Sequence, residues 1–165
     1  MRITTWNIRG VEIWSLYIPN GREITDRHYD YKLDFLYQLA RYAAGRAQSK
    51  LLLTGDFNIA PRDEDVWDIE AFRGKTHVTE PERAAFQMLE EAGLEEVTRR
   101  FTEDQRYTYF DYKGMRFQKN EGMRIDFQLA SPPLAKHVTG ARVDMEERAG
   151  EKTSDHCPLY ADFDL

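Results

Sequence analysis

The stretch Leu51 to Pro61, LLLTGDFNIAP, constrains this chain more than any other. Three leucines in a row, closed by Thr54 and a Gly-Asp-Phe-Asn turn signal, suit a short strand buried on both faces. At its end a carboxylate and a carboxamide stand two residues apart. On an extended chain such residues point the same way, so Asp56 and Asn58 can reach one object. Their oxygens are of the kind a hard cation such as Mg2+ takes. Asp, Asn and Gly are equally common turn formers, so the same letters also describe a plain turn. The rest of the chain has to decide between the two.

A chain of 165 residues is long enough for one domain with a proper core. With 41% hydrophobic and 32% charged residues it reads as soluble and globular rather than disordered. No apolar run approaches the roughly 20 residues that span a bilayer. Met1 leads straight into the strand-like ITTWNI, with no charged-then-apolar leader. The single cysteine, Cys157, excludes an internal disulfide framework and fits a reducing, cytoplasmic location. A net charge of −6 argues weakly against nucleic acid, because proteins that coat it are usually basic. An acidic nuclease is still allowed, since metal sites concentrate carboxylates.

Along the chain, Arg2 to Ile8 predicts a strand ending near Trp6-Asn7, and Val11 to Ile18 a second one ending at Pro19-Asn20-Gly21. Only Arg9 and Gly10 separate them, so a tight turn must join them. Tyr29, Leu33, Leu36, Leu39, Ala40 and Ala43 recur at helical spacing over about 29–46. Residues 59–78 read as a long polar loop whose acidic patch, Asp63, Glu64, Asp65 and Asp68, is a solvated surface. Thr79-Glu80-Pro81-Glu82 has the form of a capping box opening a helix that Gly93 stops. Further strands are expected at Tyr107 to Tyr112, Arg124 to Ala130, Ala141 to Glu146 and Pro158 to Phe163. Strands mixed with a few helices indicate an α/β or α+β layered domain.

Asp126 sits inside an apolar strand, where an acid is costly unless paired. Ser154-Asp155-His156-Cys157-Pro158 opens the last strand. An isolated Asp-His pair is usually structural. Three clusters of Asp, Asn and His at strand boundaries, plus Asn7, point instead to acid/base work or stabilisation of a phosphate. Neighbours on a strand face opposite ways, so Cys157 reads as a buried structural thiol that does not meet His156. His28, His77 and His137 lie in polar context and read as surface residues. In YTYFDY, alternation puts Tyr107 and Tyr109 on one face and Phe110 and Tyr112 on the other.

Taken in order, TWN (Thr5–Asn7), YIPNG (Tyr17–Gly21), TGDFNIAP (Thr54–Pro61), EPERAAF (Glu80–Phe86), YTYFDY, NEGMRIDFQLAS (Asn120–Ser131) and SDHCP (Ser154–Pro158) resemble the bacterial exonuclease III family. These DNA repair nucleases belong to the wider endonuclease/exonuclease/phosphatase superfamily. The resemblance implies a two-sheet layered sandwich with outer helices. It implies Mg2+- or Mn2+-dependent phosphodiester hydrolysis in double-stranded DNA: cleavage at abasic sites, 3′ to 5′ exonuclease action and removal of 3′ blocking groups. By motif position, Asp56 orients or deprotonates the attacking water, and Asn58 holds phosphate and metal-bound solvent. His156, paired with Asp126, contacts the scissile phosphate, and Tyr17 stabilises the charge that develops there. Asn7 and Asp155 fall in or beside the metal shell, together with Asp56 and Asn58. Asn20 supports the phosphate end. Tyr109, Met123 and Ile125 match the pocket for a flipped-out abasic sugar.

The chain also departs from the family. There, the first strand leads through a helix to a strand ending in Gln-Glu-Thr, whose glutamate is the principal metal ligand. Here Ile8 runs through Arg9 and Gly10 into Val11, and Gln-Glu-Thr is absent. The expectation is a single domain over residues 1–165, shortened between about 8 and 12, with an incomplete first sheet. An exposed sheet edge and a poorer metal shell follow, so self-association or marginal stability is predicted. Two other readings stand beside the nuclease: a shortened, non-catalytic relative that binds DNA or a partner, and a phosphatase acting on another phosphoester.

Overall fold

The computed structural model describes residues 4–8 and 10–165, with side chains from residue 10 onward. Strands β1 (Thr4–Ile8) and β2 (Val11–Tyr17) pair antiparallel with Ile8 opposite Val11. That register leaves a two-residue turn, and its Gly10 takes φ 76, a left-handed conformation that glycine adopts without a Cβ penalty. The tight join expected between these strands is therefore present. Arg9 and the side chain of Asn7 lie outside the described residues.

From β2 the chain passes through helix α1 (Arg27–Ala44) to β3 (Lys50–Asp56), which pairs parallel with β2. Asp26 caps α1 by accepting a hydrogen bond from the His28 amide at 2.9 Å. The buried face of α1 carries Tyr29, Lys32, Leu36, Leu39, Ala40 and Ala43, so the predicted stripe holds, with one lysine set into it. Next come α2 (Ile69–Phe72), α3 (Glu80–Glu91), the two-residue β4 (Glu95–Glu96) and β5 (Asp126–Ala130). The five strands form one sheet in the order β1-β2-β3-β5-β4. After α4 (Pro132–Ala135), strands β6 (Val138–Val143) and β7 (Leu159–Phe163) form an antiparallel pair, with α5 (Met145–Ala149) between them.

The leucine run of β3 serves two cores. Leu51 and Leu53 join Leu16, Phe127 and Leu129 against α1 and α3. Leu52 faces the other way, into a cluster with Val11, Ala130, Leu134, Ala135 and Val138. The larger sheet thus lies between a helical layer and the smaller sheet. Each fully buried leucine contributes about 1.5–3 kcal/mol relative to exposure, which makes β3 the strand both layers depend on. Thr79 caps α3 as its sequence foretells, with Pro81 in the first turn.

Three expectations need correction. Tyr107 to Tyr112 is not a regular strand. The Thr108 and Tyr109 amides both donate to the Met123 carbonyl, at 2.8 and 2.9 Å, while the Phe110 amide donates to Asp155 O at 2.8 Å. The segment changes partner instead of laddering along one neighbour. Phe110 is buried and Tyr112 is exposed, so they do not share a face. The acidic patch is not all solvated surface. Asp65 is fully buried and accepts from both terminal nitrogens of Arg99, at 2.7 and 3.0 Å. Finally, the strand expected over Ala141 to Glu146 ends at Val143, because Asp144 caps α5 by accepting from the Glu147 amide.

Candidate functional site

β2 and β3 run parallel, so both end on the same rim, and antiparallel β5 starts there. Gly55 makes the close approach possible. A Cβ on it would lie 2.0 Å from the Leu16 carbonyl oxygen, and its φ is 135. No other residue type fits that position. Past it, Asp56 Oδ1 accepts from the Asn58 amide at 2.8 Å, and Oδ2 accepts from Asn58 Nδ2 at 2.7 Å. Asn58 adopts a left-handed φ of 51, so the segment is a turn. Asp56 and Asn58 do meet, but through that turn and not along an extended strand. The plain-turn reading and the functional reading are both satisfied.

Asp126 is the Cα partner of Asp56 across β3 and β5. Its Oδ2 lies 2.9 Å from His156 Nδ1, and His156 Nε2 lies 4.0 Å from Asp56 Oδ2. Thr108 Oγ1 accepts from the amides of Ile125 and Asp126 at 3.2 and 3.1 Å, which fixes the start of β5. Tyr109 packs edge-on against His156, with ring centroids 5.0 Å apart. The result is one continuous row, Asn58–Asp56–His156–Asp126, drawn from stretches 30 or more residues apart in part of its length.

Electrostatics sharpen the row. Burial, followed by the negative charge of Asp126, pushes the Asp56 carboxyl up to about 7, against the pull of His156 and Lys32. For His156, burial favours the neutral ring, but the hydrogen bond and charge of Asp126, with Asp56 and Asp155, outweigh it and raise the pKa. Asp126 on Nδ1 leaves Nε2 as the nitrogen that faces Asp56. Burial raises Cys157 to about 12, and its Sγ lies 3.8 Å from Met145 Sδ in a cluster with Phe110 and Val143. It is the inert thiol expected, turned away from His156.

A cleft of about 840 Å³ gathers Tyr17, Asn20, Asp56, Asn58, Tyr109, Met123, Ile125, Asp155 and His156, with Asp126 directly behind His156. Every other anticipated site residue meets at this cleft, but Asn7 does not: its backbone pairs with Glu12, five residues before Tyr17 on β2, so β1 sets it towards the opposite end of the sheet from the rim. His77 corrects its surface reading. It lines the cleft, and its Nε2 lies 3.0 Å from Asn58 Oδ1. Burial, then the charge of Lys32, lowers its pKa to about 4, so the ring is neutral. It arrives through a loop bond, Ala60 N to His77 O at 2.7 Å, and carries a left-handed φ of 84. No spacing in the sequence signals that. Trp67 and Arg116 were also missed. They face the same cleft, with the guanidinium 4.6 Å from the indole centroid.

Among the described residues, no group of three or more His, Cys, Asp and Glu side chains is arranged as a metal cage. Asp56, Asn58 and Asp155 nevertheless bring hard oxygens to the cleft. The raised pKa of Asp56 reports a buried negative charge that a cation would relieve. These oxygens are of the type that Mg2+ and Mn2+ take, without a closed cage among the described residues to fix one in place.

A family model described as Endonuclease/Exonuclease/phosphatase family matches residues 6–156. The chain belongs to that family. Within it, the similarity runs to the exonuclease III and AP endonuclease branch. Exodeoxyribonuclease III of Haemophilus influenzae is 32% identical over 158 residues, covering 89% of this chain and 59% of the relative. Exodeoxyribonuclease of Bacillus subtilis is 29% identical, covering 96% and 62%. A Neisseria 3′ phosphatase bound to a product DNA hairpin superposes with a TM-score of 0.93 at 37% identity, covering 99% of this chain and 65% of that one. An AP endonuclease from Archaeoglobus fulgidus gives 0.92 at 33%, with the same coverage. The two-sheet fold is thus the family's, and the chain spans about 60% of the length of the curated relatives it matches. No helix among the described residues is long and apolar enough to cross a membrane.

Proposed function

We propose that this chain is a divalent-metal-dependent DNA phosphodiesterase of exonuclease III type, acting on double-stranded DNA by cleavage at abasic sites, 3′ to 5′ exonuclease action and removal of 3′ blocking groups. The observation that carries the reading is the Asn58–Asp56–His156–Asp126 row at the floor of one cleft. Asp56 lines the cleft where it can take a proton from an attacking water. Asn58 orients it. In this arrangement both Asn58 amide hydrogens are engaged, by Asp56 Oδ2 and by Ile18 O at 2.9 Å. Asp126 holds the His156 ring and favours its charged form, which offers an Nε2–H to a phosphoryl oxygen. Tyr17, half exposed at the cleft mouth, presents a phenol to the same phosphate, and Asn20 stands beside it. Tyr109, Met123 and Ile125 form the wall against the sugar. Asp56, Asn58 and Asp155 would hold the cation; Asn7, paired with Glu12 towards the other end of β2, is not among its ligands. When bound, that ion supplies Lewis-acid neutralisation of the phosphate.

Chain length favours a second reading. At about 60% of its relatives' length, and without Gln-Glu-Thr, the chain is a shortened relative that binds DNA without turnover. We also propose that residues 1–165 form one domain, shortened between about 8 and 12. Nicking of an abasic duplex with Mg2+ or Mn2+ separates the readings. Metal-dependent nicking that Asp56→Ala and His156→Ala each abolish supports the nuclease. Tight duplex binding with no turnover at any metal concentration supports the binder.

A further inference from the structure

Lys32 is 0% exposed, at the centre of the apolar stripe of α1. Burying an ammonium costs several kcal/mol even when it is paired, and a well-packed apolar side chain is often at least as stable there. Its three N–H donors each have an acceptor. One goes to Glu82 Oε1 on α3, one to the Asn58 carbonyl at 2.7 Å and one to the Asn20 carbonyl at 3.4 Å. Those two carbonyls belong to the turns just past β3 and β2. Both have left the sheet ladder and need donors from elsewhere.

Glu82, also 0% exposed, is itself held. Its Oε2 accepts from Thr79 Oγ1 at 2.6 Å and from the Thr79 amide at 3.2 Å. Tyr29, one turn before Lys32, donates its hydroxyl to Thr79 Oγ1 at 2.5 Å. The lysine stem is fixed from outside as well. The turn at Gly21, with φ 86, folds over it so closely that an added Cβ would lie 3.4 Å from Lys32 Cδ. A buried charge is thus locked on three sides and aimed at the two turns that carry Asn20, Asp56 and Asn58.

We propose that Lys32, with Glu82 holding it, is a positioning residue that clamps the turns after β2 and β3 against each other, so that their polar side chains face one cleft. The catalytic consequence rests on the nuclease reading above; the clamp itself does not. The test compares Lys32→Met/Glu82→Gln, which leaves no unpaired charge, with Leu134→Ala. Leu134 lies in the cluster on the far face of the sheet, and its truncation gives a destabilised control. Both proteins are compared with the parent chain by site-resolved amide hydrogen exchange and by urea denaturation. Once corrected for global stability, exchange at the Ile18 and Asn58 amides is expected to rise at least about tenfold in the double variant and not in the control. In abasic nicking, the double variant is expected to lose at least about tenfold in kcat with KM within about threefold, as misplacement of reacting groups predicts. Equal corrected exchange in the two variants would overturn the clamp. Should the double variant not fold, Lys32→Arg replaces it. A planar fork cannot serve all three acceptors, so the same amides are expected to exchange faster, and unchanged exchange overturns the clamp. A parent chain that never nicks DNA would sink the nuclease reading, with exchange alone then deciding the clamp.

Discussion

Asp56→Asn is expected to change how stability depends on pH, not merely how stable the protein is. In the metal-free folded chain the Asp56 carboxyl keeps its proton up to about pH 7, whereas its unperturbed value is 3.8. Between those values the folded state binds more protons than the unfolded state, so stability falls as pH rises. A shift of roughly 3 units at about 1.36 kcal/mol each amounts to a penalty of about 4 kcal/mol, fully developed above neutrality. The side chain is only 14% exposed, so solvent screening removes little of it. Asparagine cannot ionise and escapes the penalty. It also turns an amide towards a donor of Asn58 where Asp56 has an acceptor, a loss of about 1 kcal/mol that does not vary with pH. The variant should therefore be slightly less stable than the parent at pH 4 and clearly more stable at pH 8. The swing is about 4 kcal/mol, or roughly 10 °C in Tm for a chain of this size. Thermal melts in chelator at half-unit steps of pH measure it. Saturating Mg2+ is expected to flatten the parent's slope. Parallel curves for parent and variant from pH 4 to 8 would refute the account of Asp56 as a buried, uncompensated carboxylate.

Asp126→Asn removes the interaction that raises His156, so the imidazole should lose its proton at lower pH. The alkaline limb of the nicking profile should move to lower pH, with kcat down roughly a hundredfold. An unmoved limb would assign that limb to another group. Gly55→Ala, with its Cβ 2.0 Å from Leu16 O, should cost roughly 3 kcal/mol or more in urea denaturation. Asp65→Ala leaves Arg99 without its bidentate partner and should cost about 3–5 kcal/mol, whereas Asp68→Ala should be nearly silent apart from its cap on α2. With β1 at the end of the strand order, sedimentation velocity should show association as concentration rises; a monomer throughout would count against a sticky edge.

Much of this molecule can be read from local pattern. The leucine run, the Thr79 capping box and the stripe along α1 each obey rules that act within a turn or two of chain, and those elements stand close to where they were expected. Asp56, Asp126 and His156 were legible as polar clusters at strand boundaries, while their pairing and roles followed from the resemblance of the surrounding motifs to a known family. His77 was not legible. Its place depends on a loop bond 17 residues back and on a left-handed backbone that its neighbours do not announce. Asp65 looked like its exposed neighbours, because the partner that buries it, Arg99, lies beyond a helix. YTYFDY has the composition of a strand and the hydrogen bonding of a loop, since its partners come from two different segments. Lys32 did leave a trace. A charge among Tyr29, Leu36, Leu39 and Ala43 breaks the apolar pattern, and that break marks where α1 meets the site.

The pairing of Asp56 with Asp126 places the whole chemistry at the mercy of alignment. Were β5 to slide by a single residue, side chains would exchange sides, and Phe127 would confront the histidine where an acid now stands. The slipped chain would keep its composition and many of its backbone bonds, yet lose the contact between Asp126 and His156. The proposed chemistry would be a matter of counting along a ribbon correctly, and Thr108, at the head of β5, helps to pin that count.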